Sequence, residues 1–564
     1  MSKYDDLLDK LIEYSNADYV PMHMPGAKRN TLLYDERKSN NISNINEAAG
    51  VLSRLDITEI EGFDNLHNPE GILLEMQKKA ERLYNSEKSL VSVNGSTAGI
   101  LAAISGVCNK GDHILVARNC HVSVYNAVFL NELYPHYIVP EVDKKNGIAK
   151  GITLDDIKKT IRKMLEENNI IFKYKDEGKV LNNNKIVGDY YLTNQKSNTE
   201  IYRTIDMTQI KAVIITSPTY EGLVSDVKEI ADFLHEFKIP LIVDEAHGAH
   251  FQFNDAFPKS SIKLGADVVI NSIHKTLPAP TQTALLHLNS NLINYDRVKR
   301  YLDIYETTSP SYLLMAGVDR ALSFVEKDGK KAYERYILML KELRTKISKL
   351  KYIKLEDVDD ISKIVLSGPD FIGNFGKKLY DVLLNKYRVQ LEMASFSYAI
   401  AMTSVCDKKE YYDIFFRGLE EIDRQIQNIK DTYDIKTKEI QDGQIIDMQE
   451  KQIKNIRDIQ SNNIEKNGIE FGNMCSGIIM LERPSDVEKR IQHSGYQEIS
   501  IFDDKICGME CVNPVLLYPP GMPLINSGEL IQQDKVEIIR MARKSGIEIL
   551  GLNKDLIKVT NKVK

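Results

Sequence analysis

Within the run INSIHKTLPAP (residues 270–280) an apolar strand-like segment breaks at Lys275 and then at two prolines. A lysine at a strand end faces the crevice of an open α/β sheet, and when partly desolvated it loses its proton and can form a Schiff base with a carbonyl. A second chemical residue, Asp244, closes the apolar run PLIVD (240–244). A carboxylate buried there can keep an aromatic ring nitrogen protonated, so that the ring draws in electrons. A third feature is the turn in VNGSTAGILAAI (93–104), small residues opening an apolar helix. Backbone amides at such a helix N-terminus, with Gly95, Ser96 and Thr97, make a cup for a dianionic phosphate. Ser272 and His274 flank the lysine and can add donors to it. A carbonyl, a ring nitrogen and a phosphate are the three handles of pyridoxal 5′-phosphate (PLP).

Other chemistries make demands that the sequence does not meet. The letters DEAH at 244–247 also occur in the acidic box of nucleic-acid helicases, which requires a phosphate loop of the form G-x-x-x-x-G-K-[ST]. The nearest imitation, GNFGKK (373–378), has the wrong glycine spacing, lacks the hydroxyl residue and lies downstream. His247 and His250 stand at i and i+3, as metal ligands on one helical face can, but no third ligand accompanies them. Of the six cysteines, Cys507 and Cys511 are the one close pair, without a second pair or nearby histidines. No metal is expected.

Composition agrees. A chain of 564 residues, 43% hydrophobic and 27% charged, suggests about two to four globular domains. Its net charge of −6 gives no basic field for a phosphate backbone, so nucleic acid is not expected as a partner. The N-terminus MSKYDDLLDKLIEYSNADYV carries acids where a signal peptide has basic and apolar regions, and no run is long enough to span a bilayer. Sparse cysteines fit a reducing compartment, so the expectation is a soluble cytoplasmic protein.

These residues need a scaffold. From about 89 to 290 short Val/Ile-rich runs alternate with segments of helical periodicity, the pattern of βαβ units and a mostly parallel sheet. The expected strands are 113–117, 137–140, 212–217, 240–244, 267–272 and 283–288, buried on both faces because they are almost continuously apolar. Helices are expected over 122–133 and over 226–237, the latter with Val227, Ile230, Ala231 and Leu234 on one face. Asparagine-rich composition marks 156–208 as an insertion, and the charged, isoleucine-punctuated stretch 425–470 as an amphipathic helix and linker. The run LLYPPGMPLINSGE (516–529) requires turns rather than one strand. The expected organisation is an N-terminal segment (1–60), a PLP-binding large domain (61–330), a small α/β domain (331–424), the linker (425–470) and a C-terminal domain (471–564).

The motifs HMPGAKRN (23–30), DITEIEGFDNLHNPEGILLEMQ (56–77), NGSTAG, RNCHVSVYNA (118–127), SPTYEGLVSD (217–226), VDEAHGAHF, SIHKTLPAPTQTALLH (272–287), TTSPSYLLMAG (307–317) and YPPGMPL (518–524) occur in order through most of the chain. With them the sequence resembles the PLP-dependent ornithine/lysine/arginine decarboxylases, in a short form without an N-terminal wing domain. The resemblance implies an aspartate-aminotransferase-like (fold type I) large domain with smaller α+β C-terminal domains. It makes Lys275 the Schiff-base lysine and Asp244 the partner of the pyridine nitrogen. His121 would stack on the ring, although a histidine at a helix start also reads as a cap. Ser96, Thr97, Ser272 and His274 are implied phosphate ligands, and His247 is implied to lie near the ring. Thr308 and Ser309 would reach the cofactor of a neighbouring subunit, making the active unit a homodimer or higher oligomer.

The implied reaction is decarboxylation of arginine, lysine or ornithine to the amine, feeding polyamine metabolism. Glu392 and Glu510 are candidates to meet the substrate's distal cation. Two departures stand out: the family usually has His and Gly where this chain has Ala27 and Asn30, and Lys where it has Val122. An aminotransferase or aldolase would share the lysine and aspartate, and a non-catalytic homologue would have lost a cofactor anchor.

Overall fold

The computed structural model describes residues 17–28, 53–167, 210–441 and 477–560 except 519 and 520, together with the backbone of short strands between 171 and 202. Its centre is a sheet of β1 (Lys88–Ser92), β2 (His113–Ala117), β3 (Tyr134–Ile138), β4 (Ile210–Thr216), β5 (Leu241–Asp244), β6 (Val268–Asn271) and β7 (Ala284–Leu288). The spatial order is β1-β7-β6-β5-β4-β2-β3. The strands from β3 to β6 run parallel, whereas β7 pairs antiparallel with β6 and β1. Every residue of β5 and β6 is buried. Helices on both faces explain why these strands lack any polar alternation.

Two differences from the expected strands have one cause. β3 starts three residues earlier than expected, at Tyr134, and β1 was not expected at all. Both are edge strands. An edge tolerates Pro135 within β3 and Lys88 and Ser89 within β1, which by composition read as breaks.

Helix α1 (Gly95–Val107) opens from β1, α2 (Val122–Leu130) follows β2 and α3 (Val227–Glu236) follows β4. In α3 the buried residues are Val227, Ile230, Ala231 and Leu234, the face expected from periodicity. Helix α4 (Tyr295–Tyr305) crosses α1 so closely that a Cβ on Gly106 would lie 2.5 Å from Val298 Cγ2. The long α5 (Tyr312–Ile347) then leads into the small domain. There Lys354–Leu355, Lys363–Ser367, Tyr398–Met402 and Met393–Ala394 form an antiparallel sheet in that order. The N-terminal strand Val20–Met22 pairs in parallel with Val389–Leu391, tying the start of the chain to the small domain.

The C-terminal domain has its own core, including Ile506, Val515, Val536 and Val559. Its strands Val515–Tyr518 and Met522–Ile525 pair antiparallel as a hairpin. It is fastened to the large domain by Arg118, 1% exposed, whose guanidinium lies 2.8 and 2.9 Å from the two oxygens of Glu529.

Three expected boundaries fall inside helices. Residue 330 lies within α5, residue 425 within the helix Lys409–Gln441, and residue 156 within the helix Leu154–Glu167, where Ile157, Ile161 and Met164 join the large core. Charged and asparagine-rich composition there marks the solvent face of a packed helix rather than a linker. The rest of the 425–470 segment and Asn30 lie outside the described residues.

Candidate active site

A cavity of about 310 Å³ opens at the carboxyl ends of the central strands. It gathers Gly95, Ser96, Thr97, His121, Asp244, His247, Ser272, His274, Lys275 and Glu392. Lys275 sits on a one-turn helix (Ile273–Thr276) that starts where β6 ends. That turn is braced from outside: the Gly26 N–H donates to the His274 carbonyl at 2.8 Å, and a Cβ on Gly26 would stand 2.9 Å from the Leu277 carbonyl oxygen. The Lys275 amine lies 2.9 Å from His247 Nε2. Burial lowers the lysine pKa; the Asp244 and Glu392 charges oppose this and Lys363 adds to it. A lowered pKa favours the neutral amine that Schiff-base chemistry needs.

His247 is buried, and burial together with Lys275 holds its pKa well below the ordinary value. With Lys275 donating to Nε2, the neutral ring carries its proton on Nδ1, which is buried without a hydrogen-bond partner. Tyr220 meets the same ring edge-on, centroids 4.8 Å apart. His250 points elsewhere, to Asp360 at 3.2 Å, so the two histidines share no ligand.

Asp244 is 3% exposed and accepts the Ala246 N–H at 3.1 Å. Burial raises its pKa while Lys275 and His121 pull it down. The next residue behaves differently: Glu245 accepts hydrogen bonds from Ser260, Ser261 and Asn271 beneath the sheet end, and burial pushes its pKa to about 7.

The phosphate cup is joined to the lysine turn directly, Ser96 Oγ lying 2.5 Å from Ser272 Oγ. Gly95 takes φ +74° and its N–H donates to the Gln282 carbonyl, a left-handed turn suited to glycine. His274 donates from Nδ1 to the Thr283 carbonyl at 2.9 Å, and burial lowers its pKa to about 4. At neutral pH its Nε2 is therefore an acceptor, and it donates to a phosphate only as an imidazolium, which an adjacent dianion stabilises.

His121 is both a helix cap and a cavity residue. It is the N-cap of α2, accepting the Ser123 N–H on Nδ1 at 3.2 Å, and it lines the cavity. The cap leaves the ring proton on Nε2 and sets the ring's orientation.

The wall opposite the strands comes from elsewhere in the chain. Glu392 of the small domain accepts the Tyr220 hydroxyl at 2.5 Å on one oxygen and the Met24 N–H at 2.8 Å on the other. Tyr518 and Met522 arrive from the C-terminal hairpin, whose Gly521 carbonyl accepts the Val122 N–H at 3.2 Å. Asn119, Thr216, Thr219, Tyr220 and Glu221 also line the cavity and were not anticipated individually. All five follow or end β2 or β4, so the carboxyl-end rule applied to every strand finds them. Tyr518 and Met522 lie on no strand of the central sheet, and their signal is the motif YPPGMPL (518–524).

Glu510 is not brought to this cavity, and Thr308 and Ser309, expected at a neighbouring subunit's site, do not line this one. Glu510 is buried in the C-terminal domain, where Arg490 and Thr560 hold its carboxylate. A carboxylate in an apolar core needs such partners, and these consume it. Thr308 and Ser309 are exposed between α4 and α5. Their neighbour Glu306 is buried and accepts the Ser92 hydroxyl and Val93 N–H at 2.8 and 3.0 Å, tying that connection to the strand before the cup.

This donor set fits PLP. Among the described residues Asp244 forms no ion pair, so its buried carboxylate suits a group that brings its own N–H⁺. A buried lysine with a lowered pKa and an amide cup line the same cavity. The site and fold thus define a PLP-dependent enzyme of the aspartate-aminotransferase-like class.

Comparison with known proteins narrows the class. Residues 6–374 match the major domain of the Orn/Lys/Arg decarboxylases, and the chain belongs to that family. It is 25% identical over 563 residues to an arginine decarboxylase of Bacillus anthracis, covering 98% of this chain and 96% of the relative. It is 28% identical over 546 residues to the uncharacterized protein YaaO of Bacillus subtilis (strain 168), covering 94% and 92%. Among solved structures, the Francisella novicida lysine decarboxylase LdcF superposes with a TM-score of 0.68 at 17% identity, over 98% of this chain and 80% of that one. The protein is a PLP-dependent decarboxylase of basic amino acids.

Proposed function

We propose that the chain releases CO2 from arginine, with Lys275 as the Schiff-base lysine and Asp244 as the partner of the cofactor's ring nitrogen. The observation that carries the residue roles is the Lys275 amine, buried and 2.9 Å from His247 Nε2, in one cavity with the buried Asp244 carboxylate. Arginine is favoured because relatives matched over nearly their whole length, in Bacillus anthracis and Bacillus subtilis, are named arginine decarboxylases. The relative named lysine decarboxylase LdcA, of Pseudomonas aeruginosa, is matched over 31% of its length.

When bound, PLP supplies a carbonyl for amine exchange and a protonated ring that accepts the electron pair left behind by CO2. The remaining work falls to the protein. Lys275, whose pKa burial lowers, would be the amine that the substrate displaces. Asp244 holds the ring proton, and a carboxylate in so dry a place interacts strongly with that one charge. His121, oriented by its cap on α2, would lie against the ring of a bound cofactor. The α1 amides with Ser96, Thr97, Ser272 and His274 hold the phosphate. Glu392, oriented by Tyr220 and Met24, faces the substrate's distal cation. Thr308 and Ser309 complete a second subunit's site in a homodimer, and the amine product would feed polyamine synthesis in the cytoplasm. No helix among the described residues is long and apolar enough to cross a membrane.

The test is an assay of released CO2 against arginine, lysine and ornithine, with the product identified as agmatine, cadaverine or putrescine. Agmatine from arginine is expected. Formation of a keto acid without CO2 would instead make the enzyme an aminotransferase.

A further inference from the structure

We propose that Glu221 is a specificity-determining residue: with Glu392 it forms a two-carboxylate subsite for the far end of the substrate, matched to a guanidinium rather than an ammonium. The inference deepens the decarboxylase reading above and rests on it.

Glu221 follows β4 and is 4% exposed, yet it lines both the main cavity and a neighbouring cavity of about 70 Å³. The two spaces also share Ala149 and Met522, so Glu221 stands where one leads into the other. Its carboxylate accepts the Tyr398 hydroxyl at 2.7 Å, and among the described residues no lysine, arginine or histidine forms an ion pair with it. Burial pushes the Glu221 carboxyl above its ordinary pKa. A buried acid in this condition gains most from a cation delivered by a ligand. Arg118 also lines the smaller cavity, but its guanidinium is spent on Glu529.

Glu221 and Glu392 are arranged around one phenol. Tyr220, next in chain to Glu221, donates its hydroxyl to Glu392 and has its pKa raised by burial first and then by both carboxylate charges among others. The loop that presents them is clamped. Gly222 takes φ +102°, a Cβ there would stand 2.8 Å from Lys363 Cγ, and its carbonyl accepts the Asp360 N–H at 2.9 Å. Glu221 is therefore held in place before a substrate arrives, and its geometry does not depend on the substrate chosen. A guanidinium carries five N–H donors in a rigid planar fork and can satisfy carboxylates on two sides, whereas an ammonium is a compact point charge.

The test uses the holoenzyme and the variants Glu221→Gln and Tyr398→Phe. Glu221→Gln is expected to raise KM for arginine about tenfold with kcat little changed, to raise KM for lysine threefold or less, and to leave the bound-cofactor absorbance intact. Agmatine titrated calorimetrically into the same proteins should bind about tenfold more weakly to the variant, a readout that needs no turnover. Tyr398→Phe, which keeps the carboxylate and loses its orienting hydroxyl, should shift both quantities in the same direction by about threefold, and carries the test if Glu221→Gln does not fold. An unchanged arginine-to-lysine ratio and unchanged agmatine affinity in both variants overturn the inference, as does a wild-type enzyme that prefers lysine. A wild type that releases no CO2 from any basic amino acid defeats the decarboxylase reading itself, while agmatine binding still reports on Glu221.

Discussion

The floor and the wall of the cavity are built in different ways. The floor comes from strand ends of one sheet: Asp244 closes β5, Lys275 follows β6, and the cup opens α1 after β1. The wall comes from the small domain's Glu392 and the C-terminal domain's Tyr518 and Met522, brought in by packing between domains. Floor residues are identical in role for any amino acid that the cofactor accepts, whereas wall residues meet the part of the substrate that differs. On the proposed reading the chemistry resides in the sheet, and the choice of substrate is shared between Glu221 after β4 and the domains packed over the sheet.

Variants can break this division. The largest effect is expected from Lys275→Ala, which should show no covalent cofactor absorbance after desalting and no CO2 release. A yellow, active variant would remove the lysine from its role. Asp244→Asn should keep the cofactor and lower kcat by on the order of 10²–10³ for every substrate, since a preorganised charge at the ring is lost. Glu392→Gln should act from the wall, raising KM for basic substrates about tenfold with cofactor absorbance unchanged. Loss of cofactor in Glu392→Gln would mean that floor and wall are not separable.

The smallest effect distinguishes the floor from the scaffold beneath it. Glu245 has a folded pKa raised from 4.5 to about 7 by burial. Its contribution is thus fully present below the unfolded pKa and is lost as pH rises toward 7, with a slope of at most about 1.4 kcal/mol per pH unit. Urea unfolding of Glu245→Gln between pH 4.5 and 7 should lack that slope, while kcat at neutral pH stays within about twofold of wild type.

What was legible in the sequence follows the same division. β2, β5 and β6, the face of α3 and the turn NGSTAG were readable because burial on both faces, helical period and turn chemistry are local properties. Lys275 and Asp244 could be placed at strand ends because each ends an apolar run, while their roles came from the family resemblance. Glu392 and Glu510 looked alike as isolated glutamates, and only packing separates them: one lies between Tyr220 and Met24, the other against Arg490. Residues 156, 330 and 425 lie within helices, and the amphipathic helix expected from 425 belongs to one that already starts at Lys409. β1 and β3 were obscured by residues that only an edge position permits.

The joint between Arg118 and Glu529 has a consequence for how the protein is made. During synthesis the sheet, its lysine and its phosphate cup leave the ribosome well before Met522, so the growing chain can fold a complete floor while one side of the site still lies open to water. Only when Glu529 emerges can its carboxylate neutralise the guanidinium waiting at Arg118, and burial of that charge pair closes the last side.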